Sequence, residues 1–460
     1  MKISFTSLGV IDHAEIELGD LTLICGDNNT GKTYATYGLY GFLSFWNEGY
    51  QFPISHDLPQ SLHSSGSGTV DLEPHFKTPS NILDDACVDY REQLSMIFAA
   101  PRARFANTKF NVDVSPPQSL FDEEIERSFS IGPAEFVVTK PRQSFVLDVS
   151  MISGMGQTRR FPSAAIQRLV GQIAKDALFG NSLPRPFIIS AERTGAAMFK
   201  NELNLQRNRL IEEIGKTDGD IDPFEFLTKA YNDYPLPVKA NIDFARRRET
   251  IHTQQSFIAK GHKEILIEFE DILGGEFHVD REQTLRFSPK GTKTRLSMDE
   301  SSSSVRSLLD LGLYLACAAS PGDLLVIDEP ELNLHPKNQR RVARLLSRLV
   351  GVGLNVLVTT HSDYLVKELN LLILMNVDDE RIRSIAEREK YVRDESLAPT
   401  CVKVYVANTE VMKKPGNKRR SVCRTLSHVP VDAEHGIEIQ SFDHAIEDLN
   451  RLEDELLYGD

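Results

Sequence analysis

The fold turns on one stretch, 21-LTLICGDNNTGKT-33. Leu21–Cys25 is a short apolar run that ends abruptly at Gly26. Such a run, bounded by a turn signal, reads as a strand buried on both faces. The octet Gly26–Thr33 has the spacing G-x-x-x-x-G-K-T, whose backbone N–H groups converge on an anion at a helix start. Glycine is required where a side chain would block that approach. After Thr33, YATYGLYGFLSFWNEG carries an apolar face at helical spacing and ends near Gly49. Strand, turn and helix are the context the motif needs. The backbone of Gly26, Asn28, Asn29, Thr30 and Gly31 is therefore expected to cradle the phosphates of ATP. Lys32 supplies a point charge to the β/γ oxygens, and the Thr33 hydroxyl reaches Mg²⁺.

Such a site needs a second half, an apolar strand ending in acid. DLLVIDEPE provides it: Leu324–Ile327 bury and Asp328 emerges at the strand end as the second Mg²⁺ ligand. Glu329 is placed to polarise an attacking water as general base. Glu331 reads as a helix or loop acid without chemistry. A third apolar strand, VLVTT, is followed by His361, positioned to sense a γ-phosphate. Four serines, Ser301–Ser304, open the helix SSSSVRSLLDLGLYLACAA. One serine suffices for an N-cap, so the run reads as a phosphate-binding helix start.

The order of these motifs resembles the ABC-type ATPase heads of the SMC and RecF kind: GDNNTGKT, a distant serine-rich helix, LLVIDEP, NLHP and TTHS. The resemblance implies an ABC-ATPase head, a P-loop α/β fold with a mixed, largely parallel sheet, a β ribbon and a helical insertion. It places Ser302 and Ser303 at the signature, Arg306 at the basic position after it, Asn333 and His335 in the D-loop region, and His361 as switch histidine. It implies at least a dimer, with ATP held between two heads. SSSS stands where the family has Leu-Ser-Gly-Gly, and the glutamine of the Q-loop is left unassigned, with candidates in the irregular stretch after Gln51. FIISAERTG and LLVIDEPELNLHPKNQ also resemble a narrower group, the OLD-like, AbiEii-like and PtuA/AriA-like bacterial ATPases paired with antiphage effectors. That resemblance makes Arg193 a functional candidate near nucleotide or lid. The competing reading pairs it with Glu192 or makes it a cap.

The 460 residues carry 41% hydrophobic and 26% charged side chains, ordinary for a globular protein with several domains. The expected division is 1–50, the N-terminal core with the phosphate loop; 51–184, a mixed α/β insertion; 185–262, a strand and a helical arm; 263–376, the C-terminal core; and 377–460, an extension ending in an acidic helix from Phe442. No apolar run is long enough for a membrane span, and MKISFTSLGVIDHAEIEL lacks a signal-peptide centre, so a cytoplasmic location without membrane partners is expected. The five cysteines are scattered and form no CxxC pair, which reads as reduced core thiols. A net charge of −14 excludes a wholly basic nucleic-acid coat. Local basic clusters remain at Arg246–Arg248 and within Lys413–Arg420.

From these features the expected function is the ATP-binding and hydrolysing subunit of a bacterial antiphage defence complex. DNA or a phage-derived molecule would trigger it. The stretch after His361 contains neither an H-N-H cluster nor a Toprim arrangement, so the nuclease or toxin effector is expected on a separate chain. The alternative is an SMC/RecF-like repair or chromosome-maintenance ATPase that clamps DNA; the sequence lacks the long coiled arms that role uses.

Overall fold

The computed structural model describes residues 1–153, 162–180, 182–198, 234–280, 284–413, 420–438, 451 and 455. Residues 199–233 of the expected helical arm, most of the Lys413–Arg420 cluster and nearly all of the helix expected from Phe442 lie outside these residues. The chain forms two compact units. One comprises Met1–Phe5, Phe42–Gln93 and Lys109–Arg185; the other comprises Thr6–Gly41, Leu94–Thr108 and Pro186–Asp460.

The larger unit is built on a six-stranded sheet. Its strands are β1 (Leu21–Cys25), β2 (Pro186–Ile189), β3 (Leu324–Asp328), β4 (Asn355–Thr360), β5 (Val402–Lys413) and β6 (Arg420–Val429), in the order β6-β5-β1-β4-β3-β2. β5, β1, β4, β3 and β2 run parallel, and β6 pairs antiparallel with β5. All five residues of β1 and all five of β3 are buried. Parallel strands covered on both faces require such uninterrupted apolar text. Five helices matter to the site: α1 (Lys32–Ser44), α2 (Leu236–Ile251), α3 (Ser303–Leu313), α4 (Pro336–Gly351) and α5 (Asp363–Leu374). Pro336 opens α4 at a position with no amide to satisfy, and His335 Nδ1 accepts from the Lys337 amide. Ser362 caps α5 by accepting from the Leu365 amide at 3.3 Å.

The edge strand β2 is not left open. Asn241 of α2 accepts from the Ser190 amide at 2.9 Å and donates to the Ile188 carbonyl at 2.6 Å, so a side-chain amide takes the place of a neighbouring strand.

Register aligns the strand ends. Cys25 of β1 stands opposite Thr360 of β4, Thr359 of β4 opposite Asp328 of β3, and Ile327 of β3 opposite Ile189 of β2. Four segments therefore leave the carboxyl edge of adjacent parallel strands: Gly26–Thr33, Glu329–Glu331, His361 and Ser190–Arg193. Open α/β sheets place their ligands at this edge.

The smaller unit contains a four-stranded antiparallel sheet in the order Ser67–Asp71, Val146–Ser153, Ala134–Lys140, Ile125–Ile131. Phe42, Trp46, Tyr50, Tyr90, Phe110 and Phe179 form a contiguous aromatic core. Lys175 is buried beside it and donates to the carbonyls of Trp46 and Tyr50 at 2.6 and 2.9 Å. At the chain start the strands Lys2–Leu8 and Ile11–Glu17 are joined through Gly9–Val10.

Candidate functional site

In the loop after β1, Gly26, Asn29 and Gly31 have φ of +132°, +62° and +108°. Alternation of right- and left-handed residues turns successive amides toward one side. A Cβ on Gly26 would lie 2.6 Å from the Ala407 carbonyl oxygen of β5, so both the angle and the space exclude any other residue. Thr30 Oγ1 donates to the Asp27 carbonyl at 2.7 Å and ties the loop across its base. The buried Lys32 ammonium donates to the carbonyls of Gly26 and Asp27 at 2.6 and 2.8 Å. Thr33 is exposed at the start of α1.

Asp328 is buried at the end of β3, and burial raises its carboxyl to about 6. Thr359 Oγ1 donates to Asp328 Oδ1 and opposes that rise, while Glu329 and Glu192 add to it. A carboxylate whose charge is penalised in this way gains from a cation. Mg²⁺ bound with a triphosphate usually takes only one or two protein ligands. The residues present fit it: Asp328 and Thr33 would hold the ion. Among the described residues no group of three or more His, Cys, Asp or Glu side chains is arranged for a metal.

Glu329 adopts φ +52°, unusual for a residue with a side chain. Its amide donates to the Thr359 carbonyl at 3.1 Å and lies 3.3 Å from Thr359 Oγ1. His361 is about half exposed; its Nδ1 lies 3.3 Å from Glu329 Oε1 and 3.4 Å from Glu331 Oε1. Glu331, read in the sequence as a loop acid without chemistry, belongs to this cluster. It is buried, and its Oε1 accepts from Thr360 Oγ1 at 2.6 Å and from the His361 amide at 2.9 Å. Its Oε2 is buried and has no hydrogen-bond partner among the described residues. Its spacing, two residues after Glu329, keeps it near the same strand end, but only the fold brings Thr360 and the His361 amide to it.

Two more residues join the cluster. Tyr37 of α1 donates to Glu192 Oε2 at 3.0 Å, and burial together with the charges of Asp328 and Glu192 keeps its hydroxyl protonated. Arg193 is buried, but not against Glu192. Its Nε donates to the Ser307 carbonyl at 2.9 Å, Nη1 to those of Ser190 at 3.0 Å and Asp328 at 2.8 Å, and Nη2 to that of Glu329 at 2.7 Å.

The serine run serves first as a helix start. Ser302 accepts from the Val305 amide at 3.3 Å and lies 2.8 Å from Ser304 Oγ; Ser301 Oγ donates to the Ser297 carbonyl at 2.7 Å. Arg306 folds back onto the carbonyls of Met298 and Ser301. Ser302 and Ser303 are exposed, and none of their hydrogen bonds among the described residues reaches the Gly26–Thr33 loop.

A glycine-bearing loop between buried strand and helix, with an acid-tipped parallel strand two places along the sheet, defines an α/β fold of the P-loop type. The chain belongs to the family described as "AAA domain, putative AbiEii toxin, Type IV TA system", whose model matches residues 121–367. The match takes in Ser190–Arg193, α3, Asp328–Glu331 and His361, and begins after the Gly26–Thr33 loop. No curated protein matches. Solved structures that it resembles include the Smc head domain with an extended coiled coil bound to the C-terminal domain of ScpA from Pyrococcus furiosus, at 12% identity and TM-score 0.32 over 98% of each chain. An SmcHead bound to the C-winged helix domain of ScpA gives 11% identity and TM-score 0.36 over 94% of this chain and 97% of that one. The SMC head domain from Thermotoga maritima gives 11% and 0.29 over 94% and 98%. No helix of the described residues is long and apolar enough to cross a membrane.

Proposed function

We propose that this protein binds and hydrolyses Mg·ATP, and that an ATP-dependent association of at least two copies controls a separate nuclease or toxin effector in a bacterial antiphage complex. The observation that carries the hydrolytic reading is the convergence of Lys32's loop, Asp328, Glu329 and His361 on the carboxyl edge of three adjacent parallel strands.

The Gly26–Thr33 amides and Lys32 bind the phosphates, Lys32 exchanging two loop carbonyls for phosphate oxygens. Thr33 and Asp328 would hold Mg²⁺, which when bound neutralises charge developing on the phosphate oxygens. Glu329 accepts a proton from water, with its carboxylate steered by the left-handed turn at its own backbone and by His361 Nδ1. His361 senses the γ-phosphate. The exposed Ser302 and Ser303 offer hydroxyls and first-turn amides to a triphosphate on a second copy. Antiphage control rests on the family's description, which names a toxin of a toxin–antitoxin system, and on the expectation that the effector is another chain.

Phosphate release from Mg·ATP by the purified protein, together with its size by light scattering, tests this. Lys32→Ala should lose nucleotide binding. Glu329→Gln should bind ATP, lose more than ~100-fold in turnover, and remain associated in ATP. Unaltered turnover in Glu329→Gln would remove the general-base assignment. Mg²⁺-dependent DNA cleavage by the protein alone would remove the separate effector.

A further inference from the structure

Arg193 is among the largest fully buried side chains of the chain, at 2% exposure. A buried guanidinium ordinarily faces a carboxylate. This one spends four of its five N–H groups on carbonyl oxygens instead. Burial lowers its pKa, and the charges of Asp328, Glu331, Asp310 and Glu329 act against that loss.

The four carbonyls belong to three elements. Ser190 follows β2, Asp328 ends β3 with Glu329 directly after it, and Ser307 lies within α3. One rigid, planar group therefore joins the helix that begins with Ser302 and Ser303 to the peptide that aims Glu329. The Glu329 peptide is also the strained one. Thr359 holds its amide from one side, and Arg193 Nη2 holds its carbonyl from the other. The other anchor of α3 is different: Arg248 of α2 donates through Nε and Nη2 to Asp310 Oδ1 at 3.1 and 2.6 Å in a buried ion pair, and among the described residues this pair makes no hydrogen bond to the Asp328–Glu329 turn.

From this arrangement we infer that Arg193 is a positioning residue that makes the placement of the Glu329 carboxylate depend on the placement of α3. The inference deepens the ATPase reading and rests on it. A planar fork cannot keep all four bonds if α3 shifts by about an ångström relative to β3, because hydrogen bonds weaken steeply with distance and angle. Whatever engages the exposed start of α3, a triphosphate held by a second copy in the proposed reading, thereby acts on the general base of the same chain. Lysine cannot substitute, since its three donors radiate from one nitrogen.

The test uses the full chain and four proteins: wild type, Arg193→Lys, Arg193→Gln and Arg248→Lys. Each is measured for affinity for a fluorescent ATP analogue, for kcat and KM of phosphate release, and for its melting temperature. Arg193→Lys and Arg193→Gln should bind the analogue within threefold of wild type while kcat falls at least ~10-fold. Arg248→Lys should melt earlier yet keep kcat within about twofold, because its pair holds α3 without touching Glu329. Wild-type kcat in Arg193→Lys overturns the inference. So does an equal fall in Arg248→Lys, which would make the effect one of general loosening, and so does failure of both Arg193 variants to fold, which would assign Arg193 to folding alone. A wild-type protein that binds the analogue without releasing phosphate would instead overturn the ATPase reading on which the inference stands.

Discussion

Replacing Glu331 by glutamine separates the two acids that face His361. In the native protein Glu331 Oε1 receives the Thr360 hydroxyl and the His361 amide, while Oε2 is buried without a partner among the described residues. The glutamine oxygen can accept the same two donors, but as a neutral acceptor. Hydrogen bonds to a charged group contribute ~1.5–3 kcal/mol and neutral ones ~0.5–1.5, so the exchange costs about 1 kcal/mol for each bond. The new NH₂ occupies the place of Oε2, where two donors go unmet at a further cost of about 1–3 kcal/mol. The sum is on the order of 3–5 kcal/mol, enough to displace the turn after β4 that carries His361. If half of that loss is felt in the transition state, turnover falls roughly 10–70-fold, since 1.36 kcal/mol is tenfold in rate. The assay is steady-state phosphate release at saturating Mg·ATP, beside a urea unfolding midpoint. Glu331→Gln should lower both while nucleotide affinity stays near wild type. An unchanged kcat and an unchanged midpoint would refute the reasoning, because the hydrogen bonds to Thr360 and His361 would then carry no weight.

Two further outcomes follow from the same contacts. Gly26→Ala should abolish nucleotide-analogue binding and lower the melting temperature, as its Cβ meets the Ala407 carbonyl oxygen at 2.6 Å and its φ is +132°. Retained binding would show that the loop can rearrange. In the smaller unit, burial lowers the Lys175 pKa to about 8 from 10.5. The folded state therefore sheds this proton first, so Lys175 adds stability as pH rises from 8 toward 10.5 and is penalised below 8. Between pH 7.5 and 9.5 the stability of wild type minus that of Lys175→Met should rise by about 1–2 kcal/mol in urea unfolding, and a flat difference would contradict it.

Much of the sheet was legible in the text because parallel strands demand continuous apolar runs. LTLIC, LLVID and NVLVTT announce themselves by composition alone, and the residue after each run is the one the strand must present at its carboxyl end. The acid cluster was legible to the same degree, through Asp328 and Glu329. What stayed hidden depends on contacts between distant segments. Glu331 gives no local sign that Thr360 and the His361 amide will reach it. Arg193 offers Glu192 as a local partner and does not take it; only one of its four bonds, to the Ser190 carbonyl, is local. The guanidinium bonds to carbonyls from Ser307 and Asp328, more than a hundred residues away, while Glu192 turns to Tyr37. Backbone acceptors have no residue-specific signature, so a clamp made of carbonyls leaves no trace in the sequence.

The serine run shows the same division between local and distant causes. A glycine at a helix start lets backbone come close to an anion. Here the first turn of α3 needs a cap, and Ser302 provides it by accepting from the Val305 amide. A helix nevertheless leaves its first four amides without intrahelical partners. One capping bond meets only part of that demand, and the hydroxyls of Ser302 and Ser303 stand exposed beside the remainder. Serine thus supplies donors where glycine would supply room. In the proposed reading the two solutions serve one end, and the rigid path from Ser307 through Arg193 to Glu329 gives contact at that helix start a route to the reacting water.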